Sequence, residues 1–348
     1  MQVSDFDFEL PTELIAQRPA DDRESARLLL LDRSSGDLGH HHVSDLPDLL
    51  SPGDLLVVND TRVFPARLLG HRVPSGGAVE CLLLKRLDDE RWEALMHPGQ
   101  KLKVGARVQF EAAGEALEAE VVDRHFHGRR TIRLSSASDA PVEAVVERIG
   151  HVPLPPYIRR PDAGVDRERY QTVYATTTGS VAAPTAGLHL TEPLIDRLAG
   201  RGIETKRVTL HVGYGTFQPI RGEQVEDHRV EAEPYDIPED TAAAVNLARS
   251  EGRRVVAVGT TSTRTLETGA RAGQGLVVPG AGVSDLYLYP GASFQVLGGL
   301  LTNFHLPRSS LLLLVAAFAG RERVLRAYQE AVRRQYRFYS YGDAMLVL

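Results

Sequence analysis

The hydrophobic and polar positions of the chain follow two different patterns. Between residues 66 and about 149, segments such as AVECLLLKRL, ARVQFEAAGEALEAEVVDRH and RRTIRLS alternate apolar and polar positions and are separated by Gly, Pro and Asp. A period of two over short segments is typical of strands, and the turn residues keep those strands close together. This stretch therefore predicts a small antiparallel sheet or β-barrel.

The second half of the chain alternates helical and strand patterns. A helix begins at Thr191 and Glu192 and runs to about residue 199, and the strand IETKRVTLHV follows. The same order recurs in EDTAAAVNLARSEG, RRVVAVG and STRTLETGARAG. Such alternation with short connections predicts a layered α/β domain with a mostly parallel sheet. The apolar segment DLLVVNDTRV, residues 54–63, is a further buried strand that fits this sheet, so we expect residues 1–65 and 150–348 to form an α/β catalytic domain around an inserted β-barrel domain, residues 66–149.

Charge narrows the class of partner. The chain has 348 residues, 40 Lys plus Arg, 46 Asp plus Glu and a formal net charge of −6. Residues 1–65 carry 5 basic and 13 acidic side chains, so most of the acidic excess lies there. A nucleic-acid partner would therefore meet a local patch, for which the arginine-rich residues 321–337 are one candidate.

Redox and targeting signals are few. A single cysteine, Cys81, cannot form an intramolecular disulfide or a thiolate zinc site. The acidic start MQVSDFDFELP lacks the features of a signal peptide, and the longest apolar run is too short to span a bilayer. We expect a cytoplasmic protein.

The sharpest local motif is VVAVGTTSTRTLE, residues 255–267. A strand that runs into Gly259, Thr260, Thr261 and Ser262 and then into a helix leaves first-turn N–H groups and hydroxyls available for a phosphate or carboxylate. A tight turn with hydroxyl caps is the competing interpretation. The motif matches neither a P-loop nor the glycine-rich dinucleotide fingerprint.

Four histidines lie beside glycine or proline turns. His189 ends the loop GSVAAPTAGLH, His211 ends a strand, His228 shares the segment DHRVEAEPY with Glu231 and Glu233, and His305 follows LTNF. Strand ends in open α/β sheets bind ligands, and histidine exchanges protons near neutral pH. Taken singly, each is more often a hydrogen-bonded structural residue. The histidines are too scattered to favour a metal site, and we expect none.

Arginines and aromatic residues meet in two segments. YRFYSYGDAML follows the arginine-rich helix, and PLPPYIRRP adds Tyr157, Arg159 and Arg160. This combination stacks unpaired bases and binds phosphates. A packed aromatic terminus with solvated charges is an equal alternative.

Taken together, these segments resemble one bacterial family, the S-adenosylmethionine:tRNA ribosyltransferase-isomerases of queuosine biosynthesis. The resemblance runs through GDLLVVNDTRVFPARL, IGHVPLPPYIRRP, GSVAAPTAGLHLTEPL, VTLHVGYGTFQP, VGTTSTRTLE, LTNFHLPRSSLLLLVAAFAG and YRFYSYGDAML. It implies a large α/β domain with an inserted β-barrel. It also implies transfer of the ribosyl portion of S-adenosylmethionine to 7-aminomethyl-7-deazaguanine at the tRNA wobble position, with isomerisation to epoxyqueuosine and release of adenine and methionine.

Candidate site residues follow from the motifs and the resemblance together. The candidate acid–base groups are His189, His211, His228, Glu233 and His305. The candidates for binding S-adenosylmethionine are Thr185, Ala186, Gly187, Gly213, Gly259, Thr260, Thr261, Ser262, Arg264 and Asn303, with Glu233 or Asp343 facing its cationic groups. The candidates for the tRNA anticodon loop are Tyr157, Arg159, Arg160, Arg333, Arg334, Arg337, Tyr339 and Tyr341. We expect a monomer with no required protein partner.

Three positions depart from the family's pattern. Glu231 stands where a second histidine is usual, Gly298 where an aspartate is common, and Leu190 where a phenylalanine is usual. The first two put in doubt any mechanism that needs that histidine or aspartate. Two alternatives stay open from the sequence: an S-adenosylmethionine-dependent RNA methyltransferase and a non-enzymatic RNA-binding adaptor.

Overall fold

A computed structural model describes residues 1–217, 220 and 222–348. Its strands are β1 Arg27–Leu31, β2 Leu38–His42, β3 Leu55–Asn59, β4 Thr61–Val63, β5 Arg67–Val73, β6 Ala78–Arg86, β7 Arg91–His97, β8 Arg107–Ala112, β9 Glu115–Arg124, β10 Arg129–Ser136, β11 Thr177–Ser180, β12 Glu204–Leu210, β13 Glu233–Ile237, β14 Val255–Val258, β15 Gly280–Ser284, β16 Gly299–Asn303 and β17 Ala344–Val347. Its α-helices are α1 Leu46–Leu49, α2 Val142–Ile149, α3 Asp166–Arg169, α4 Glu192–Gly200, α5 Glu239–Ser250, α6 Gly259–Ala272, α7 Ser310–Ala319 and α8 Arg321–Arg333.

Most strands outside the barrel belong to one mixed sheet. In the described part of the chain its nine strands run in the order β15-β13-β12-β3-β14-β16-β17-β1-β2. Strands β12, β3, β14 and β16 are mutually parallel, and β17 is parallel to β1. The other pairs are antiparallel. The predicted α/β class is confirmed, and the parallel arrangement holds at the centre, whereas both edges of the sheet are antiparallel.

Strand β3 shows why the centre of the sheet is stable. All five of its residues are buried, because β12 and β14 flank it and helices cover both faces. Leu55 and Val57 pack with α5 and α6, while Leu56 and Val58 pack on the opposite face with α4. A near-continuous apolar strand is typical of parallel sheets that are covered on both sides.

The predicted inserted barrel is also confirmed. Strands β5 to β10 close in the order β10-β7-β6-β5-β8-β9, with antiparallel pairing throughout. The inward positions form one apolar core that includes Leu68, Phe110 and Ile132, and α2 packs against it through Val145 and Ile149. The domain limits at residues 66 and 149 stay a prediction.

Local signals set the helix ends where the sequence predicts them. The Thr191 hydroxyl accepts a hydrogen bond from Leu194 N at 3.1 Å, and the Ser309 hydroxyl accepts one from Leu312 N at 3.2 Å. These bonds satisfy first-turn N–H groups of α4 and α7. Gly320, with a φ of +89°, lets the chain turn between α7 and α8.

Candidate functional site

The candidate site lies where the four parallel central strands end. Because β12, β3, β14 and β16 run in the same direction, His211, Asn59, Gly259 and Asn303 reach one edge of the sheet. A cleft opens there, with an empty volume of about 740 Å³ that includes space open to solvent. We call it the central cleft; its lining includes Thr185, Ala186, Gly259, Thr260, Thr261, Asn303, His305, Tyr157 and Tyr339.

Asn59 connects the parts of this edge. It is fully buried, and its Nδ2 donates to Leu210 O at 3.0 Å and to Thr261 Oγ1 at 3.1 Å. Its Oδ1 accepts from Leu210 N at 3.0 Å and from Thr61 N at 3.1 Å. One amide therefore holds the end of β12, the start of β4 and the first turn of α6 together.

The first turn of α6 forms one wall of the central cleft. The helix starts directly after β14 at Gly259, whose φ of +89° places the turn, and no side chain caps its N-terminus. Thr260 and Thr261 line the cleft, whereas the Ser262 hydroxyl is buried and donates to Val258 O at 2.8 Å. The predicted turn thus offers Thr260 and Thr261, and Ser262 serves the helix itself.

Asn303 and Tyr339 bring unpartnered polar atoms to the lining of the central cleft. Asn303 Nδ2 donates to Tyr339 O at 3.0 Å and lies 3.2 Å from His189 Nε2. Asn303 Oδ1 and the Tyr339 hydroxyl are buried without a hydrogen-bond partner within the described ranges. Tyr339 also has a φ of +72°, rare for a tyrosine. Unsatisfied buried groups on a cleft wall are what a polar ligand would satisfy.

Two of the candidate histidines are neutral because they are buried. Burial, reinforced by Arg23 and Arg337, lowers the pKa of His189 to about 4. Burial lowers the pKa of His305 to about 3, and its Nε2 is hydrogen-bonded to Thr302 Oγ1 at 2.7 Å. Both are therefore uncharged near neutral pH, and His305 lines the central cleft.

His211 lies in a second opening, between the barrel and the sheet. This barrel–sheet cleft is lined by Trp92, Arg129, Gly179, His211, Gly213, Glu231 and Glu233 among others. His211 Nδ1 is hydrogen-bonded to Thr61 Oγ1 at 2.8 Å, and a Cβ at Gly179 would come within 2.7 Å of the ring. Burial lowers the pKa of His211, and nearby Asp60 partly opposes this effect. Val212 lines both clefts, so the two openings adjoin.

Glu233 is held in a buried ion pair. Its Oε2 accepts from Arg264 Nη1, and its Oε1 accepts from Gly213 N at 2.7 Å and Thr216 Oγ1 at 3.2 Å. Arg264 also donates to Leu286 O and Ser284 O, both at 3.0 Å. Both residues are thus occupied by partners within the fold.

His228 lies apart from the other histidines, in a groove along α7. Its ring contacts Tyr287 edge-on with centroids 5.2 Å apart. Burial, followed by the charge of Arg229, lowers the pKa of His228. The five candidate acid–base groups therefore line adjoining but separate cavities. His305 lines the central cleft, His211 the barrel–sheet cleft, His228 the α7 groove, and His189 a small pocket with Arg23 and Arg169, whereas Glu233 lines both the barrel–sheet cleft and the α7 groove.

The candidate residues for S-adenosylmethionine divide in the same way. Six line the central cleft: Thr185, Ala186, Gly259, Thr260, Thr261 and Asn303. Gly213 lines the barrel–sheet cleft. Gly187 packs against Tyr174, because a Cβ there would lie 2.1 Å from the tyrosine hydroxyl. Asp343 is already occupied by Arg27 and by Arg337 N.

The candidate tRNA residues are mostly engaged within the fold. The Tyr157 ring packs against that of Tyr339 in a tilted arrangement, with 4.5 Å between centroids, on the wall of the central cleft. Arg160 and the buried Tyr341 both bond to the Asp166 carboxylate. Arg333 and Arg334 bond to Glu330, and Arg337 donates to Arg18 O. Arg159 is exposed in a groove beside the barrel. The fold alone thus accounts for Arg160 and Tyr341.

The three departures from the family's pattern occupy different environments. Glu231 bonds to Arg129 of β10 and so connects the barrel to the segment before β13. Gly298 precedes β16 and lies beside Arg254, at the end of the sheet opposite the central cleft. Leu190 is fully buried in the core beneath α4. Of the three, Glu231 alone borders a candidate cleft.

Several structurally important residues were not predicted from the sequence. Asn59, Asp60 and Thr61 organise the carboxyl edge of the sheet, and Thr209 and Thr176 donate to Asp60 at 2.6 and 2.8 Å. Buried Glu267 accepts from the backbone of Gln295, Val296 and Leu297. The polar triplet that begins at the last residue of the apolar strand β3 was the available signal, because strand ends at the centre of α/β sheets carry function.

Membrane-spanning and metal-binding features are both missing from the described residues. Among residues 1–217, 220 and 222–348, no helix has the length and apolar character to cross a membrane. The same residues contain no group of three or more His, Cys, Asp or Glu side chains placed to bind a metal ion.

The fold and site define an α/β protein with an inserted barrel and a polar cleft at the carboxyl edge of its parallel strands. Residues 3–347 match the family described as queuosine biosynthesis protein, and the chain belongs to that family. The resemblance carried by the sequence is therefore confirmed.

Relatives cover the whole chain. It is 51% identical over 348 residues to the S-adenosylmethionine:tRNA ribosyltransferase-isomerase of Symbiobacterium thermophilum, covering 100% of both chains. It is 52% identical over 350 residues to the protein of that name from Anaeromyxobacter sp., covering 100% of this chain and 99% of the relative. The crystal structure of S-adenosylmethionine tRNA ribosyltransferase from Thermotoga maritima matches with a TM-score of 0.56 and 37% identity, covering 99% of this chain and 100% of the other.

Proposed function

We propose that this protein is a transferase and isomerase that moves the ribosyl portion of S-adenosylmethionine to a deazaguanine base of tRNA. The observation that carries the proposal is sequence identity of 51% and 52% over the full length to relatives named S-adenosylmethionine:tRNA ribosyltransferase-isomerase. The acceptor is the aminomethyl group of 7-aminomethyl-7-deazaguanine at the wobble position. The product is epoxyqueuosine in tRNA.

The central cleft fits the uncharged nucleoside part of S-adenosylmethionine. The polar groups on its wall are hydroxyls, the Asn303 amide and the neutral His305 imidazole. The unpartnered Asn303 Oδ1 and Tyr339 hydroxyl give a base or a ribose hydroxyl something to bond to. Thr260 and Thr261, at the open N-terminus of α6, take ribose hydroxyls or a carboxylate.

The reaction needs groups in the site that accept protons from the substrates and one that donates a proton to adenine. The sulfonium acidifies the C5′ hydrogens, the attacking amine must lose a proton, and departing adenine must gain one. The C5′–sulfur electron pair leaves with methionine. Of the four histidines, His211 combines a lowered pKa, a fixing hydrogen bond to Thr61 and an open cleft, so it is our candidate base. Glu233 contributes to the site through its ion pair with Arg264, at the wall of the barrel–sheet cleft.

The proposal also includes the place where tRNA binds, the co-substrate, the absence of a metal, the cellular location and the oligomeric state. The tRNA anticodon loop enters beside the barrel, where Tyr157, Arg159 and Tyr339 lie on or near the two openings. S-adenosylmethionine is the co-substrate, and no metal takes part. The protein acts as a cytoplasmic monomer.

Product analysis tests the function directly. The protein is incubated with S-adenosylmethionine and tRNA carrying the deazaguanine precursor, and the released base and the modified nucleoside are identified by mass. Free adenine supports ribosyl transfer, S-adenosylhomocysteine identifies a methyltransferase, and tRNA binding with no consumption of S-adenosylmethionine identifies an adaptor. His211→Gln is expected to lower kcat by about 100-fold or more, and His71→Gln on barrel strand β5 is the matched control.

A further inference from the structure

A small pocket lies on the far side of His189 from the central cleft. We call it the arginine pocket; its walls include Arg23, Arg169, His189 and Ser340. Ser340 also lines the central cleft, and the His189 ring bonds to Asn303 of that cleft. The His189 imidazole and Ser340 therefore connect the two cavities.

The two arginines of this pocket come from distant segments and lack carboxylate partners. Arg23 precedes β1 and donates to Leu188 O at 2.8 Å and Glu168 O at 3.1 Å. Arg169 ends α3 and donates to Asp21 O at 2.9 Å and to Ala20 O. These partners, all found within the described residues, are neutral carbonyls, so neither guanidinium is hydrogen-bonded to a carboxylate there.

The neighbouring arginines show that this arrangement is unusual for the region. Arg160 is paired with Asp166, and Arg27 with Asp343. Arg169 Nε, in contrast, is buried with no acceptor in the described part of the protein. A buried guanidinium N–H without a partner has a free-energy cost that a bound acceptor would remove.

The charges that face the pocket add up to a positive site. Burial lowers the pKa of Arg23, the charge of Arg169 lowers it further, and the opposing effect of Glu168 is smaller than that of Arg169. His189 faces Arg23 and Arg337. Tyr341 lies beside Arg169, and Asp166 is already occupied by Arg160.

We propose that the arginine pocket binds an oxyanion, either a phosphate of the tRNA or the carboxylate of S-adenosylmethionine, directly behind His189. A pair of neighbouring guanidiniums, one with an Nε that is unpartnered among the residues described, suits either group. The two named sources rest on the proposed function, whereas the binding of an oxyanion does not. A bound anion would also favour protonation of His189 and so link occupancy of this pocket to an imidazole that contacts the central cleft.

Histidine NMR of the wild-type protein tests anion binding in the arginine pocket without requiring enzymatic turnover. The protein carries labelled histidines, His189 is assigned with a His189→Gln variant, and its titration is followed with inorganic phosphate and, separately, with methionine. We expect one of these ions to raise the pKa of His189 by about one unit while His228 does not respond. A His189 titration unchanged by either ion would overturn the proposal.

Steady-state kinetics then identifies the source of the anion. Arg23→Gln and Arg169→Gln should each raise one KM about tenfold or more, that of tRNA for a phosphate or that of S-adenosylmethionine for a carboxylate. Arg201→Gln, which removes an exposed arginine paired with Asp48, is the control. Both KM values unchanged in folded variants would overturn the assignment to a substrate. If the wild-type protein releases no adenine, the proposed function is refuted, whereas the NMR result on anion binding still stands.

Discussion

Asn59 and Thr261 are joined by a 3.1 Å hydrogen bond from Nδ2 to Oγ1, although 202 residues separate them in the chain. The bond connects the end of β3 to the first turn of α6, and the same amide bonds to both backbone groups of Leu210. His211 and Thr261 thus share one support. Asn59 therefore supports the edges of the two adjoining clefts, although it lines neither of them.

Replacing Asn59 with aspartate is expected to affect both stability and substrate binding. The aspartate side chain would keep the size but lose the donor to Leu210 O, leaving two oxygens facing each other in a buried position. We expect the free energy of unfolding to fall by about 2 kcal/mol and the KM for S-adenosylmethionine to rise. Urea denaturation and steady-state kinetics measure the two effects.

Asn246 provides the matched control for Asn59. Its amide also bridges backbone, donating to Val277 O and accepting from Val277 N, both at 2.9 Å, but it lies away from the clefts on α5. Asn246→Asp should lower stability and leave KM unchanged. Equal KM values in the two aspartate variants would contradict the supporting role of Asn59.

Stability should fall steeply in mild acid because of His189 and His305. Their folded pKa values, about 4 and about 3, lie below the unfolded value of about 6.5. The unfolded state therefore binds more protons below pH 6.5, and the stabilisation present above that pH is lost as the pH falls. Each histidine should cost about 2 kcal/mol of unfolding free energy between pH 7.5 and pH 5.

Urea unfolding at several pH values separates this effect from that of other groups. His189→Gln and His305→Gln should each reduce the difference between pH 7.5 and pH 5, whatever their stability at pH 7.5. His42→Gln, an exposed position at the end of β2, should leave it unchanged. Parallel curves for all four proteins would argue against neutral, buried imidazoles.

The Glu233–Arg264 pair should act mainly on folding. Both side chains are buried, so Glu233→Gln leaves the guanidinium charge without a partner. We expect a loss of about 3 kcal/mol or more in unfolding free energy, compared with less than about 1 kcal/mol for Glu204→Gln, whose exposed carboxylate pairs with Lys206. The double variant Glu233→Gln, Arg264→Gln should recover part of the loss. A double variant that folds stably yet lacks all turnover would instead support Glu233 as an acid–base group.

Glu231 should connect the barrel to the sheet without adding much stability. Arg129 bonds to Glu93 within the barrel and to Glu231 outside it, and the arginine and Glu231 are 27% and 43% exposed. Because the pair is partly solvated, Glu231→Gln should change the unfolding free energy by less than about 1 kcal/mol. Amide hydrogen exchange near residues 229–233 should become faster. Arg133→Gln, which removes a pair with Glu120 on the exposed face of barrel strands β10 and β9, should not alter exchange there.

Much of the fold could be predicted because its signals are local. Thr191 and Ser309 cap helices with their own hydroxyls, and the barrel strands alternate between apolar and polar residues. The antiparallel edges could not be predicted in the same way. Strand β13 returns beside β12 through only two paired positions, Thr209 with Asp236 and Leu210 with Tyr235, and no nearby pattern determines that return.

The location of the candidate residues in the fold could be predicted as far as strand ends determine it. His211 and Thr260 follow parallel strands, Asn303 ends one, and all three reach the same edge of the sheet. Their division among separate cavities depends on long-range packing. Likewise, Tyr341 reads as a base-stacking residue in sequence, yet its hydroxyl bonds to Asp166, 175 residues earlier, in the core.

The affinity for tRNA should depend on salt with a shallow slope. Arg333 and Arg334 already share Glu330, so the arginine-rich C-terminal helix offers fewer free charges than its sequence implies. With no more than about four phosphate contacts, the logarithm of the binding constant should fall with a slope shallower than about −4 against the logarithm of salt concentration. Fluorescence anisotropy at salt concentrations from about 50 to about 300 mM measures this slope. Exposed Arg159 should contribute about one unit, so Arg159→Gln should flatten the slope more than Arg333→Gln does. A slope near −10, as for a protein that contacts a long stretch of nucleic-acid backbone, would contradict recognition through a small opening.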